Sequence, residues 1–176
     1  VGDSTTAGVY NTGGGDVNSD TQPTAYPTQL AKQFRSAGLR ATCDAVIGSQ
    51  NESGADPRLT FIGGAGANLS SLGGNAFQVS AAGDALQFEP VDGLTYDQIT
   101  IFYFDYKSNG ALTVTVDDQT PQLTPAYTNS FGTKSTTLKF SEAVFEKVTI
   151  AGSGKGEQDI IGFTLEHRTK PCLLYE

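Results

Sequence analysis

The chain has 176 residues and a mass of 18.5 kDa, the size of one medium domain. Its 11 Lys and Arg residues against 19 Asp and Glu give a formal net charge of −8, which argues against binding to a nucleic-acid backbone. No apolar run reaches the roughly 18 residues that a membrane-spanning helix needs. Hydrophobic residues make up 38% of the chain, enough for a folded core, and 21 Gly with 7 Pro favour strands and turns.

The first 57 residues alternate between strand and helix signals. Residues 1–4 indicate the end of a strand that enters a tight turn. A helix is predicted between Pro27, which suits the first helical position, and Gly38, which can end it. Its apolar face consists of Tyr26, Leu30, Ala31 and Phe34. Residues 41–47 then predict a short buried strand, and the order strand, helix, strand is the start of a parallel α/β unit.

From residue 58 the hydrophobic pattern changes to period two, which predicts strands. The predicted strands cover residues 97–106, 111–116, 136–140, 146–150 and 160–165, separated by turn residues such as Asp117-Asp118. The strand at 97–106 places Ile99 and Ile101 on one side and Phe102 and Phe104 on the other, so we expect it to be covered on both faces. Roughly eight strands at this spacing predict an antiparallel sandwich.

Cys43 and Cys172 do not form a disulfide framework. They can form one long-range bridge, or both can remain free and buried. One His and two dispersed Cys cannot build a structural zinc site, so no metal and no cofactor are predicted. The sequence begins with Val1 rather than Met, and we expect a segment to have been removed or omitted ahead of it.

The tripeptide Gly2-Asp3-Ser4 is the motif that points to chemistry. Thr6-Ala7-Gly8 follows it after Thr5. This run resembles the first block of the SGNH hydrolases, also called the GDSL esterase family, in which Gly-Asp-Ser precedes an aliphatic residue and then Thr-Ala-Gly. By that resemblance Ser4 is the acyl-forming nucleophile, its backbone N–H is one oxyanion donor, and Asp3 fixes the turn. Read from the residues alone, Ser4 can equally be a turn or helix-cap serine.

The family's second block is a glycine whose N–H completes the oxyanion hole. Gly48, in the run Val46-Ile47-Gly48-Ser49, stands in that place. If the β-rich region is an insertion, however, that glycine can also lie beyond Leu174.

The later blocks of the family are not matched. The third block reads Gly-x-Asn-Asp, but Ala76 follows Gly73-Gly74-Asn75. The fifth block reads Asp-x-x-His, but the only histidine, His167, has Thr164 three residues before it. A serine needs a base to act as a nucleophile. We therefore expect the catalytic Asp and His to lie outside the chain and His167 to be a solvated histidine at a strand end.

These observations predict the α/β start of an SGNH hydrolase, with its flavodoxin-like three-layer fold, and a larger jelly-roll-like antiparallel β-sandwich inserted into it. Residues 1–57 would be the N-terminal part of the hydrolase domain. Residues 58–168 would be a carbohydrate-binding-like sandwich, and residues 169–176, with Cys172–Tyr175, a strand that returns to the hydrolase. A further polypeptide segment would complete the hydrolase domain.

The resemblance implies a serine esterase that removes acetyl or other short acyl groups from a polysaccharide, through an acyl-enzyme at Ser4. The expected partner is an acylated carbohydrate, with no nucleic acid and no membrane span. The expected location is secreted, periplasmic or on a virion surface. The alternative is a non-catalytic β-sandwich that binds carbohydrate or mediates adhesion. In that case aromatics drawn from Tyr96, Tyr103, Tyr106 and Tyr127 would stack on sugar rings, unless they pack in the core.

Overall fold

The structure, a computed structural model, describes residues 26–42, 44–47, 56–71, 74–105, 110–125 and 131–170. These ranges contain one helix and eleven strands. The elements are α1 (Tyr26–Ser36), β1 (Ala45–Ile47), β2 (Leu59–Ile62), β3 (Gly66–Ser71), β4 (Gly74–Val79), β5 (Ala85–Phe88), β6 (Thr95–Asp105), β7 (Leu112–Val116), β8 (Gln122–Leu123), β9 (Gly132–Val144), β10 (Val148–Gly152) and β11 (Gln158–Glu166). The helix in this part of the chain lacks the length and apolar character that a membrane crossing requires.

The strands form two antiparallel sheets that pack as a sandwich, which confirms the predicted sandwich. One sheet has the order β3-β4-β11-β6-β9, with β1 added beside β11, and the other has the order β2-β5-β10-β7-β8. Most connections from β4 onward cross from one sheet to the other. That alternation is the jelly-roll arrangement, because it brings strands that are distant in sequence next to one another.

The core lies between the sheets and follows the predicted alternation. Ile99 and Ile101 of β6 are fully buried, as are Phe163 and Leu165 of the neighbouring strand β11. The opposite sheet contributes Leu86, Phe88, Val114 and Ile150, among others. The rings of Phe88 and Phe163 meet edge to face across the core, with centroids 5.1 Å apart, a favourable aromatic geometry. The other face of β6 is only half covered, so the expectation of burial on both faces is wrong for Phe102 and Phe104.

The helix α1 forms and ends as its sequence predicts. Gly38 adopts a φ of +79°, in the left-handed region, and its N–H donates to Arg35 O. The N–H of Leu39 donates to Phe34 O, which completes a Schellman motif at the C-terminus of the helix. Ala31 is completely buried and packs with Phe34 in a small separate cluster.

The strand β1 corrects the predicted parallel α/β unit. Ala45–Ile47 pairs antiparallel with β11, opposite residues 162–164, and so belongs to the sandwich. Val46 is part of the sandwich core, and burying that side chain requires the strand to lie on this sheet. The division of the chain at residues 57 and 168 stays a prediction.

A buried polar cluster holds the segment that contains α1 and β1 against the sandwich. The carboxylate of Asp44 accepts hydrogen bonds from the backbone N–H groups of Val91 (3.0 Å) and Asp92 (3.1 Å), and from the hydroxyl of Tyr96 (2.9 Å). Asp92 is in turn paired with Arg35 of α1 at 2.7 Å. Burial, followed by the charge of Asp92, raises the pKa of Asp44 above its ordinary value. We call the end of the sandwich that carries this cluster the helix end.

Candidate functional site

The residues of the predicted esterase site, Ser4 and Gly48, lie outside the described residues. The same is true of Cys43 and Cys172, and of the candidate stacking residues Tyr106 and Tyr127. Their predicted roles therefore stay predictions. Among the described residues, no group of three or more His, Cys, Asp or Glu is arranged to hold a metal ion.

His167 lies directly after β11, as predicted, but it is buried rather than solvated, with 5% of its surface exposed. Its Nδ1 accepts a hydrogen bond from Thr169 N–H at 3.2 Å. Its Nε2 lies 3.1 Å from Glu142 Oε1, although the angle between them is poor for a hydrogen bond. Glu142 also binds Lys170, and chiefly this contact, with that to His167, lowers the pKa of Glu142 to about 2. The imidazole thus takes part in a local ion cluster at the helix end.

Of the two candidate stacking tyrosines that the structure describes, Tyr96 is fully buried. Its ring packs near Phe145, and its hydroxyl is bonded within the polar cluster, so the core interpretation is confirmed for it. Tyr103 lies near the other end of β6. It is partly buried, and its hydroxyl is 3.1 Å from Thr136 Oγ1.

A cleft opens between the sheets at the end of the sandwich opposite the helix end, which we call the cleft end. There β6 finishes at Asp105, β7 begins at Leu112 and β11 begins at Gln158. The space within the cleft is small, about that of one water molecule. It is lined by Tyr103, Phe104, Asp105, Gly110, Leu112, Thr124, Pro125 and Gln158. The cleft therefore admits a group the size of a hydroxyl rather than a sugar ring, and a larger ligand would lie across its mouth.

Hydrogen bonds fix two walls of the cleft. The N–H of Leu112 donates to Thr124 Oγ1 at 2.8 Å, and the N–H of Thr124 donates to Leu112 O at 2.9 Å. The side chain of Gln158, 3% exposed, donates from Nε2 to Ala111 O at 3.1 Å. Its Oε1 is buried without a hydrogen-bond partner, so the amide is fixed mainly through its NH₂ group.

Gly110 is required at its position in the cleft wall. A Cβ there would lie 1.8 Å from Ser153 Oγ and 3.0 Å from Ser153 Cβ. A side chain at residue 110 would therefore displace the side chain of Ser153.

An exposed aromatic residue stands next to the cleft. Phe131 is 83% exposed and precedes Gly132, which pairs with the cleft residue Asp105 across β6 and β9. The residues of the lining combine the ring of Tyr103 with a carboxylate, an amide and a hydroxyl, while the ring of Phe104, which alternates with Tyr103 and Asp105 along β6, lies on the outer face beside the cleft. Chemically, this combination offers flat apolar surface beside hydrogen-bonding groups, and the residues described show no nucleophile paired with a base in the cleft.

The sequence analysis missed this cleft because its lining comes from four distant parts of the chain. The available signal was the aromatic run Phe102-Tyr103-Phe104, followed by Asp105 at the end of a strand, where the chain must leave the sheet. The prediction that β6 is covered on both faces assigned these aromatic residues to the core, and so the cleft was not predicted.

No protein-family model matches the sequence, and no curated protein was found to be similar. Solved structures do share its fold. The catalytic domain of a GH87 α-1,3-glucanase, in complex with tetrasaccharides, matches with a TM-score of 0.50 and 10% identity over 74% of this chain and 29% of the other. The carbohydrate-binding module CsCBM6-3 from Clostridium stercorarium, in complex with cellobiose, matches with a TM-score of 0.47 and 14% identity. The match covers 74% of this chain and 98% of the module. A family two carbohydrate esterase from Cellvibrio japonicus matches with a TM-score of 0.44 and 14% identity. The match covers 69% of this chain and 33% of the esterase.

The chain thus spans about a third or less of the glucanase and esterase chains and nearly all of the binding module. At these identities the similarity concerns the fold alone, an antiparallel β-sandwich.

Proposed function

We propose that this protein is a carbohydrate-binding β-sandwich whose ligand occupies the cleft end. The observation that carries the proposal is the lining of the cleft, where Tyr103 and Phe104 stand beside Asp105 and Gln158. The match with the highest TM-score of those reported above is a glucanase domain solved with tetrasaccharides, and this supports the same class of ligand. We expect the protein to be secreted, periplasmic or on a virion surface.

A sugar ring fits this lining for a physical reason. One face of a pyranose carries C–H groups and packs on an aromatic ring, while the hydroxyls at its edge need hydrogen-bond donors and acceptors. Phe104 supplies a partly exposed ring next to the cleft, and the exposed Thr133, its cross-strand partner on β9, supplies a hydroxyl beside that ring. Preformed walls reduce the entropy lost on binding, and the paired hydrogen bonds between Leu112 and Thr124 provide such a wall.

The proposal is tested by isothermal titration calorimetry with two series of linear oligosaccharides, cello-oligosaccharides and α-1,3-gluco-oligosaccharides, each of two to six sugars. We expect the wild-type chain to bind at least one series. We expect Phe104→Ala to weaken that binding by about tenfold or more, the loss of one well-packed aromatic contact.

The control for this variant is Val91→Ala, which removes a 66% exposed apolar side chain far from the cleft. It should leave the affinity unchanged. Absence of binding to both series, or an equal effect of the two substitutions, would contradict the proposal.

As a second candidate we propose ester hydrolysis at Ser4, an activity that would also act on carbohydrate. The observation that favours it is the run Gly2-Asp3-Ser4 with Thr6-Ala7-Gly8, which resembles the SGNH first block. The substrate would be a short acyl ester of a polysaccharide. The buried ring of His167, with its Nδ1 bonded to Thr169, supports a base supplied from elsewhere.

Hydrolysis of p-nitrophenyl acetate by the longest natural form of the protein tests this candidate. Ser4→Ala should abolish turnover and leave the sandwich folded, since a serine hydrolase without its nucleophile retains only residual activity. His167→Ala should leave turnover nearly intact. If the chain is inert, or if His167→Ala abolishes turnover in a folded protein, the assignment is wrong.

A further inference from the structure

The outer face of β6 continues from the cleft along the six-stranded sheet. Phe104 lies at the strand end that borders the cleft, and Phe102, two residues earlier on the strand, lies with it on the outer face by strand alternation. Both side chains are partly exposed, in contrast to the fully buried Ile99 and Ile101 that point inward. The two rings are separated by about 7 Å along the strand, the repeat of alternate residues.

Small hydroxyl side chains border these rings. On β9, Thr133 is the cross-strand partner of Phe104, Ser135 of Phe102 and Thr137 of Thr100, and all three β9 residues are exposed. The hydroxyls of Thr100 and Thr137 lie 2.9 Å apart. On the other side of β6, Phe102 is paired with Gly162 of β11, which has no side chain to cover the ring.

Lys139 and Glu166, the cross-strand partners of Gln98 on β9 and β11, carry charge farther along this face. The part of the face nearest the cleft is uncharged, although the whole chain has a net charge of −8. It consists of Phe102, Phe104, Thr100, Thr133, Ser135 and Thr137, and we call it the outer strip. Two flat rings in a row, bordered by hydroxyls and continuous with the cleft, suit a neutral chain of repeating rings better than they suit a peptide or an anion.

We propose that the outer strip binds further sugars of the same glycan chain whose first sugars lie at the cleft end. The ligand is therefore a neutral linear oligosaccharide or an internal stretch of a polysaccharide, rather than a single terminal sugar. The strip from Phe104 to Thr100 is about 14 Å long at the rise of a β-strand, long enough for two or three consecutive sugars. This inference rests on the proposed carbohydrate binding, and it adds the length and the neutral character of the ligand.

The test compares a short and a long member of whichever series binds, the disaccharide and the hexasaccharide, by calorimetry. The wild-type chain should bind the hexasaccharide at least about tenfold more tightly than the disaccharide. Phe102→Thr should remove most of that gain and leave the disaccharide affinity unchanged within about twofold. Phe102→Leu, which keeps apolar volume on the strand but lacks a flat ring, should also lose most of the gain.

The matched control is Ile62→Thr. Like Phe102→Thr, it introduces a threonine in place of a partly exposed apolar side chain, here one that is 39% exposed on an edge strand of the other sheet. This variant should bind both sugars like the wild type. Circular dichroism and the melting temperature establish that each variant is folded. The Leu variant decides the matter should the Thr variant fail to fold.

The outcomes separate the two proposals. If the disaccharide and hexasaccharide bind equally, or if the Phe102 variants bind the hexasaccharide like the wild type, the outer strip carries no sugar and only the cleft proposal survives. If a folded Phe102 variant weakens both sugars equally, Phe102 acts on the cleft and the extended site is also refuted. If neither sugar binds to the wild type, carbohydrate binding itself is wrong, and the extended site with it.

Discussion

Replacing Tyr96 by Phe removes one hydroxyl from the polar cluster at the helix end and leaves the rest of the side chain in place. The Tyr96 hydroxyl lies 2.9 Å from Asp44 Oδ2 and 2.8 Å from Thr42 Oγ1, and the residue is completely buried. Because Phe fills nearly the same volume, the substitution creates almost no cavity. The loss of stability therefore reports the hydrogen bonds rather than the packing.

The expected magnitude follows from the partners. A hydrogen bond to a charged acceptor contributes about 1.5–3 kcal/mol, and a neutral one about 1 kcal/mol. Thr42 Oγ1 keeps a second acceptor in Asp92 Oδ2 at 3.0 Å, so the neutral bond can be replaced. Asp44 keeps its two backbone donors but loses the third. We therefore expect the free energy of unfolding to fall by about 2 kcal/mol, and the melting temperature by about 4–8 °C for a chain of this length.

Urea unfolding followed by tyrosine fluorescence and circular dichroism measures this change. The matched control is Tyr103→Phe, which removes a hydroxyl bonded to Thr136 at a partly exposed position and should cost less than about 1 kcal/mol.

The pH dependence provides a second check. The Tyr96 hydroxyl lowers the pKa of Asp44, which burial and Asp92 raise overall, so its removal raises that pKa further. A carboxyl group whose pKa is raised on folding lowers stability as pH rises from the unfolded pKa to the folded pKa. The cost of Tyr96→Phe should hence be smaller in acid, where Asp44 is protonated, than at neutral pH. Equal losses for Tyr96→Phe and Tyr103→Phe at neutral pH would refute the idea that the buried cluster secures the helix end.

Two further predictions concern other parts of the fold. Gly154→Ala should lower the melting temperature more than Gly93→Ala. Both glycines have positive φ, but only at residue 154 would a Cβ meet backbone, 2.9 Å from Ala82 N. Equal losses would show that this close contact does not destabilise the variant. Lys170→Ala should raise the pKa of Glu142 from about 2 towards its ordinary value, as followed by NMR of the side-chain carboxyl. A lowered pKa contributes stability that is lost as pH falls from the ordinary pKa to the lowered one, so the wild type should lose this contribution between about pH 4.5 and 2, and the variant should have less of it to lose. An unchanged pKa would refute the ion cluster.

The local elements of this protein could be predicted from its sequence. The apolar spacing and Gly38 located α1 and its end, and period-two alternation located β6, β7, β9, β10 and β11 to within a few residues. Both signals come from near neighbours along the chain, and the sandwich follows from them. The short strands between Leu59 and Phe88 were predicted only as part of a β-rich region, because Gly, Ala and Ser there carry little periodic signal.

The pairing of distant elements could not be predicted in this way. The predicted parallel pairing of β1 is wrong, because three residues of strand sequence do not distinguish parallel from antiparallel neighbours. Tyr96 is separated by 52 residues from its acceptor Asp44, and nothing in either local sequence indicates the contact. The cleft has the same origin, since Asp105, Thr124 and Gln158 meet only after the sheets have formed.

The position of β1 also determines where the sandwich can be divided. One edge of β11 is shared by β4, which covers residues 158–160, and by β1, which covers residues 162–164. A fragment that starts at residue 58 would lack β1 and so would leave the backbone groups of residues 162–164 without their neighbouring strand. It would also lack Arg35, the partner of Asp92, and Asp44, the partner of Tyr96. An unpaired strand edge is a template for association with another chain, so such a fragment should aggregate or exchange strands. A fragment that starts at residue 26 keeps β1 on that edge and should aggregate less than the one that starts at residue 58.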